Sequence, residues 1–371
     1  MKTNYLDKVA KDKYAGCLLG GAVGDALGAP IEFLSLTQIR SKYGQAGITD
    51  YVEFANHTGE FTDDTQMTLF TAEALLRACH RAMLKGIGGA LTGIAHKSYL
   101  RWLHTQNIGI HIVDLKQRLF DEDGWLLQQK ALYKQRAPGN ACITSLSSGV
   151  AGNIAKPIND SKGCGAIMRM APVGLMFFGD AEQSFQVGCE LAAITHGHPT
   201  GYLSAGFLAS VISDLAIGMP LKKAIDHAIS ILKKWNRHEE TLRAVESVLH
   251  LFAATHLTKK DIKAEVVEQL GEGWIAEEAL SIAIYASLMF ENDFVTGVLF
   301  SVNHSGDSDS TGSITGNILG LIHGMNNIPQ KWTDNLRDSE IVRQIGEDLH
   351  IRVKGSSDVF DEAWWGKYPG Y

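Results

Sequence analysis

The chain has 371 residues, 45% hydrophobic and 20% charged, an ordinary globular balance that can bury a full core. A formal charge of −7 argues against nucleic acid or an anionic membrane as the main partner. Five scattered cysteines without a Cys-x-x-Cys pair exclude a disulfide frame or a cysteine zinc site, and fit buried thiols in the reducing cytoplasm.

No targeting segment is apparent. The basic residues between 8 and 13 followed by 15–23 imitate a signal peptide, but Asp25 and the glycines interrupt the pattern. Residues 12–29 read as a helix with Gly16, Gly20, Gly24 and Gly28 at every fourth position. Each glycine costs about 1 kcal/mol of helix propensity relative to alanine, so the stripe predicts close approach of another helix backbone. Pro30 ends the helix and leaves Asp25 near its C-terminus, where a carboxylate is disfavoured unless paired. A fixed partner is expected for Asp25, structural or catalytic.

Residues 38–59 read as a polar connection. Gly59-Glu-Phe-Thr-Asp-Asp-Thr-Gln-Met67 then opens a helix to about Lys85, with Asp63 and Gln66 at capping-box spacing. Helical patterns follow at 91–103, 123–133 and 144–150. A loop rich in Gly, Pro, Asn and Ser, 153–162, leads into Gly163-Cys-Gly-Ala-Ile-Met-Arg169. Apolar helices are then predicted at 172–178, 181–195, 202–217, 221–235, 240–254, 276–290, 294–302 and 314–325, with a weaker amphipathic one at 340–349.

Strand-like alternation is scarce and no linker divides the helices. Those at 203–217, 277–290 and 314–325 are apolar on most faces, which predicts burial on all sides. The expected fold is all-α: a single compact domain of packed orthogonal helices over residues 1–371, with its core at about 12–350. Residues 191–213 lack Asp, Glu, Lys and Arg, but Thr195-His-Gly-His-Pro199 lies among them and speaks against a membrane span.

Two oxygen-rich clusters carry the chemistry. An isolated Thr62-Asp-Asp64 reads as an N-cap with a solvated acidic first turn. What changes that reading is a second cluster, His304-Ser-Gly-Asp-Ser-Asp-Ser-Thr-Gly312, also just before an apolar helix. Adjacent carboxylates repel unless something positive sits between them, so the pair of clusters suggests a cage for hard divalent cations. Asp307-x-Asp309-x-Thr311-Gly312 imitates an EF-hand start, but position 12 would be Ile318 where a bidentate Glu is required. No His-Glu-x-x-His spacing supports zinc. Donors from two helix starts could hold two ions about 3.5–4 Å apart, as in hydrolytic two-metal sites.

The Gly163-Cys-Gly165 stretch reads either as a tight turn or as a phosphate-facing loop, and lacks the strand and third glycine of a dinucleotide fingerprint. Arg169 could pair with pyrophosphate or with a structural carboxylate. His198 reads as a helix-end cap, whereas His196 could reach a ligand hydroxyl. No Gly-x-Ser-x-Gly element or paired Cys and His argues for a covalent nucleophile.

Five ordered motifs are distinctive together: Gly20-Gly-Ala-Val-Gly-Asp-Ala-Leu-Gly28 with Glu32, Gly59 to Met67, Gly163 to Arg169, Thr195-His-Gly-His-Pro-Thr-Gly201, and Gly306-Asp-Ser-Asp-Ser-Thr311. They closely resemble the ADP-ribosylglycohydrolase family, of the dinitrogenase-reductase-activating and ADP-ribosylarginine hydrolase type, over about residues 12–350. The resemblance implies an all-α domain with a binuclear Mg²⁺ or Mn²⁺ cleft that removes ADP-ribose from modified side chains. By position it implies Thr62, Asp63, Asp64, Asp307, Asp309 and Ser310 as metal ligands, favouring Ser310 over the Thr311 that spacing alone suggests. It implies Glu32 on a flap near the metals, and the catalytic carboxylate is expected to be Asp63 or Asp309 by preference, with Glu32 as the alternative. It implies Gly163, Cys164, Gly165, Ala166, Met168 and His196 along the ADP-ribose cleft, with Cys164 standing where many relatives carry Asn or another polar residue. The Asp-Ser-Asp-Ser-Thr and Thr-His-x-His-Pro-Thr-Gly stretches look most like the arginine-directed branch. The expected substrate is therefore an arginine-linked ADP-ribosylated protein, with an ADP-ribosyltransferase or toxin as a candidate partner. The alternatives are hydrolysis of O-linked ADP-ribose, on serine or in a polymer, and a non-catalytic relative that binds ADP-ribose or neutralises a toxin.

Overall fold

The glycine stripe of the first helix does what its spacing predicts: it admits a second backbone. The computed structural model describes residues 2–54, 56–86, 88–107, 121–258, 264–355 and 362–370. In chain order the helices are α1 (Lys2–Gly28), α2 (Leu36–Tyr43), α3 (Asp63–Lys85), α4 (Leu91–Thr105), α5 (Asn140–Ser147) and α6 (Ala171–Met176). There follow α7 (Ala181–Ala192), α8 (Pro199–Ala216), α9 (Leu221–Leu232), α10 (Glu239–Thr258) and α11 (Ala276–Met289). The series closes with α12 (Phe294–Val302), α13 (Ser308–His323), α14 (Gln330–Asn335), α15 (Ser339–Lys354) and α16 (Glu362–Lys367). Glu53–Phe54 and His57–Thr58 form a two-residue antiparallel ladder. The fold is all-α, as expected, and among the described residues no helix is long and apolar enough to cross a membrane.

α1 packs antiparallel against α13. A Cβ added at Gly20 would lie 2.3 Å from the Gly316 carbonyl oxygen, and one at Gly24 would lie 2.0 Å from that of Gly312. Gly16 meets Gly320 and Gly28 meets Ser308 in the same way. The small residues therefore run at intervals of four on both helices, Ser308, Gly312, Gly316 and Gly320 on the second. This pairing sets the C-terminal end of α1 beside the N-terminal end of α13. One buried apolar cluster extends from Tyr14 to Tyr368. As their composition predicts, α8 is buried from Pro199 to Leu215 and α13 from Ser308 to Leu321.

Four expectations are corrected. The connection at 38–59 contains most of α2 and the small ladder. α2 starts at a capping box in which Ser35 accepts the Gln38 N–H and Gln38 accepts the Ser35 N–H. Residues 123–133 form two 3-10 turns, Leu126–Gln128 and Lys130–Leu132, instead of one helix. α13 begins six residues before the expected 314, because its polar first turn conceals the helical period. Asp63 and Gln66 make no capping box. Thr62 is the N-cap of α3, and the Gln66 side-chain oxygen accepts from Trp102 Nε1 at 3.1 Å and Gln106 Nε2 at 3.0 Å.

Gly24→Ala forces a methyl group into the α13 backbone and should cost about 1–3 kcal/mol in chemical denaturation. Gly93→Ala, on α4 with open space around it, should be neutral or gain up to about 1 kcal/mol.

Candidate functional site

Two helix starts and one helix end meet around a cavity of about 340 Å³. On α3, the Thr62 hydroxyl accepts the Asp64 N–H at 3.3 Å and so caps its own helix. On α13, Asp307 Oδ1 accepts the Ser310 N–H at 3.3 Å. Beyond the end of α1 a turn carries Glu32 and Phe33 to the same cavity. Glu32, Asp307 and Asp309 bring carboxylate oxygens within 4.8 Å of one another.

Asp25 fastens these pieces together from behind. Its Oδ1 accepts the Thr62 N–H at 2.8 Å, while Oδ2 accepts the Thr65 N–H at 3.0 Å and the Thr65 hydroxyl at 2.5 Å. The partner expected from its place on α1 is thus the free N-terminus of α3. Arg136 holds the preceding loop, donating to the Phe61 carbonyl at 2.9 Å and to Glu60 at 3.2 Å.

Of the expected ligands, Asp63, Asp64, Asp307, Asp309 and Ser310 line the cavity, whereas Thr62 stands behind as the cap. Of the expected cleft residues, Gly163, Cys164, Gly165, Met168 and His196 line it. Ala166 does not; it is fully buried inside a 3-10 turn, Cys164–Ala166. A Cβ on Gly165 would press on Cys142 Sγ at 3.1 Å and on the His196 ring at 3.3 Å, so glycine there keeps the turn against the imidazole. His196 Nδ1 bonds the Thr195 hydroxyl at 2.8 Å. Burial, with Arg169 nearby, pulls its pKa down to about 3 and leaves the ring neutral. His198 caps α8, accepting the Thr200 N–H at 3.2 Å.

Neither reading of Arg169 holds. It lies buried beneath the site, 4.2 Å above the Tyr99 ring centre, and donates to the Thr195 hydroxyl at 2.6 Å. Two walls escaped the sequence reading. One is the segment 137–142, whose Pro138-Gly-Asn140 turn at the start of α5 was a legible helix start. The other is an aromatic pair, Phe33 stacked on Trp274 with ring centres 5.1 Å apart and planes at 26°. Phe33 is 68% exposed and has φ +69°, a left-handed backbone that a phenylalanine rarely adopts.

Among the described residues no lysine or arginine lines the cavity. Burial, then repulsion from Asp309, raises the Asp25 pKa to about 7 and that of Glu32 to about 10. The same causes push Asp63, Asp64 and Asp307 well above the usual carboxylate range. Asp64 Oδ1 is buried without a hydrogen-bond partner among the described residues. Oxygen donors that lack a counter-charge, with one orphaned oxygen among them, fit a hard divalent cation.

The profile of the ADP-ribosylglycohydrolase family matches residues 6–358. ADP-ribosylarginine hydrolase Tri1 of Serratia proteamaculans is 26% identical, over 91% of this chain and 79% of its own. ADP-ribosyl-[dinitrogen reductase] glycohydrolase of Rhodospirillum rubrum is 23% identical, over 90% and 93% respectively. The solved structure of an ADP-ribosylglycohydrolase-related protein complex superposes with a TM-score of 0.63 at 22% identity, covering 92% of this chain and 98% of that one, and so shares the fold.

Asp25→Ala should strip the α3 start of its acceptor and cost about 2–4 kcal/mol in chemical denaturation. Without added divalent ions the folded state holds protons on Asp25 and Glu32 that the unfolded chain, titrating near pH 4, has released. Stability should therefore fall as pH rises from about 4 through 7 toward 10, which melts at stepped pH would record.

Proposed function

Because this chain belongs to the ADP-ribosylglycohydrolase family, we propose that it is a metal-dependent hydrolase that removes ADP-ribose from modified arginine side chains of proteins. The observation that carries the reading is the meeting of the α3 and α13 carboxylates in one cavity that holds no cationic side chain among the described residues. In this reading Thr62, Asp63, Asp64, Asp307, Asp309 and Ser310 hold two divalent cations, Mg²⁺ or Mn²⁺. Bound there, such ions supply Lewis-acid polarisation and orient the distal ribose.

The residues of the chain do the rest. The Gly163–Gly165 turn, backed by Ala166, allows close approach of the nucleotide, with Cys164 and Met168 as its wall. Neutral His196, its Nδ1 engaged by Thr195, turns its other nitrogen to a ligand hydroxyl. A carboxylate among Asp63, Asp309 and Glu32 takes the proton of the attacking water and returns it to the departing guanidine nitrogen. Glu32 suits the return step by its place: it is half-buried and lines the cavity beside the aromatic pair.

Two considerations support arginine as the linkage. The Serratia relative is named for it, and a carboxylate-lined cavity suits a cationic guanidinium leaving group. An ADP-ribosyltransferase or toxin would supply such a substrate. Five free cysteines suit the cytoplasm as the place of action.

Asp63→Asn and Asp309→Asn should each lower ADP-ribose release from an arginine-modified protein by at least about 100-fold. Chelation should abolish release, and Mg²⁺ or Mn²⁺ should restore it. Release from a serine-modified peptide but not from the arginine-modified protein would overturn the linkage; release unaffected by either variant would overturn the site.

A further inference from the structure

We propose that Cys164 supplies a sulfur donor beside the acidic cluster, giving this site an affinity for thiophilic divalent ions that an all-oxygen site lacks. The inference rests on the metal-site reading above and deepens it. Cys164 Sγ lies 2.6 Å from Asp307 Oδ2. The Asp307 carboxylate is divided in its duties: Oδ1 caps the Ser310 N–H, which leaves Oδ2 turned to the sulfur. Cys164 lines the cavity together with Asp64 at the start of α3 and Asp307, Asp309 and Ser310 at the start of α13, so it sits among residues of both helix starts. Independently, Asp64 is 3% exposed, lines the same cavity and keeps Oδ1 without a partner among the described residues.

The backbone fixes the sulfur in place. The Cys164 N–H donates to the Trp274 carbonyl at 3.1 Å, and the Cys164 carbonyl accepts the Ile167 N–H at 2.9 Å. Gly163 bridges to Ile275 on the other side. Zinc-like ions hold sulfur at about 2.3 Å and carboxylate oxygen at about 2.0–2.2 Å, so one ion takes both atoms once the Cys164 and Asp307 side chains part to roughly 3.6 Å between sulfur and oxygen. Such a mixed pair shifts preference from Mg²⁺ toward softer ions. The thiol proton passes to solvent as the metal–sulfur bond forms. Cys142 also lines the cavity, but its sulfur faces the Gly165 carbonyl at 4.0 Å and Arg169 at 3.7 Å.

The test is titration of the full-length, metal-stripped protein with Cd²⁺, followed by ultraviolet thiolate-to-metal charge transfer and by calorimetry, with Mg²⁺ alone in a parallel run. The wild type should show the band and Cys142→Ser should keep it. Cys164→Ser and Cys164→Ala should lose it and bind Cd²⁺ at least about tenfold more weakly, with Mg²⁺ binding changed by less than about twofold. Cd²⁺ binding without a band, a band that survives in both Cys164 variants, or a band lost in Cys142→Ser would overturn the sulfur donor while leaving the Mg²⁺ site standing. Failure of both Mg²⁺ and Cd²⁺ to bind the wild type would overturn the sulfur donor and the metal site together.

Discussion

The contact on which the rest depends is the near-touching of two backbones, α1 against α13, with only hydrogens between them. Carbonyls of Gly312 and Gly316 occupy the space that side chains at Gly24 and Gly20 would fill. Helices packed this closely cannot slide by one residue without a clash, so the register is fixed to within a fraction of a turn. That register places Asp25 under α3 and Glu32 opposite Asp307 and Asp309. The geometry of the acids is thus inherited from a contact that itself contains no charge.

The acids are then held in a position they would leave if free. Burial and mutual repulsion both oppose ionisation, and the Asp309 carboxylate repels each of Asp25, Glu32, Asp63, Asp64 and Asp307. The opposing forces are local and directional. Two N-caps tie the clusters to their helices, and the Asp25 bonds join one helix end to another helix start. A scaffold of this kind keeps like charges assembled until a cation offsets them, as in other preorganised sites.

What could be read in the sequence follows from range. Features expressed within one helix were legible: the glycine stripe, the apolar runs of α8 and α11, the need of Asp25 for a partner. Features shared between distant segments were not. The second stripe, Ser308 to Gly320, obeys the same spacing, but its polar first turn made α13 look shorter than it is. Ser35 and Gln38 carried a start signal that a polar segment obscured. Phe33 and Trp274 gave no hint of each other, because an aromatic pair 241 positions apart leaves no periodicity. Arg169 misled for a related reason: a conspicuous cation next to a glycine turn invites an anion, yet an aromatic face and a threonine hydroxyl hold it. The family resemblance favoured Ser310 over the Thr311 that spacing suggested, and Ser310 lines the cavity. Thr311 is occupied elsewhere, its hydroxyl meeting His304 and the Ser301 carbonyl.

The cavity draws its walls from residues 32 to 310. During synthesis the Asp63–Asp64 pair emerges early and remains hydrated, its future neighbours still untranslated, and a lone pair of aspartates is a poor trap for any ion. Only when the ribosome has extruded Asp309 and the helix behind it can the acids gather, because loop closure over such a span must precede every contact it creates. A chain that stops short of Asp309 therefore lacks one wall of the cavity, however well its earlier helices are formed.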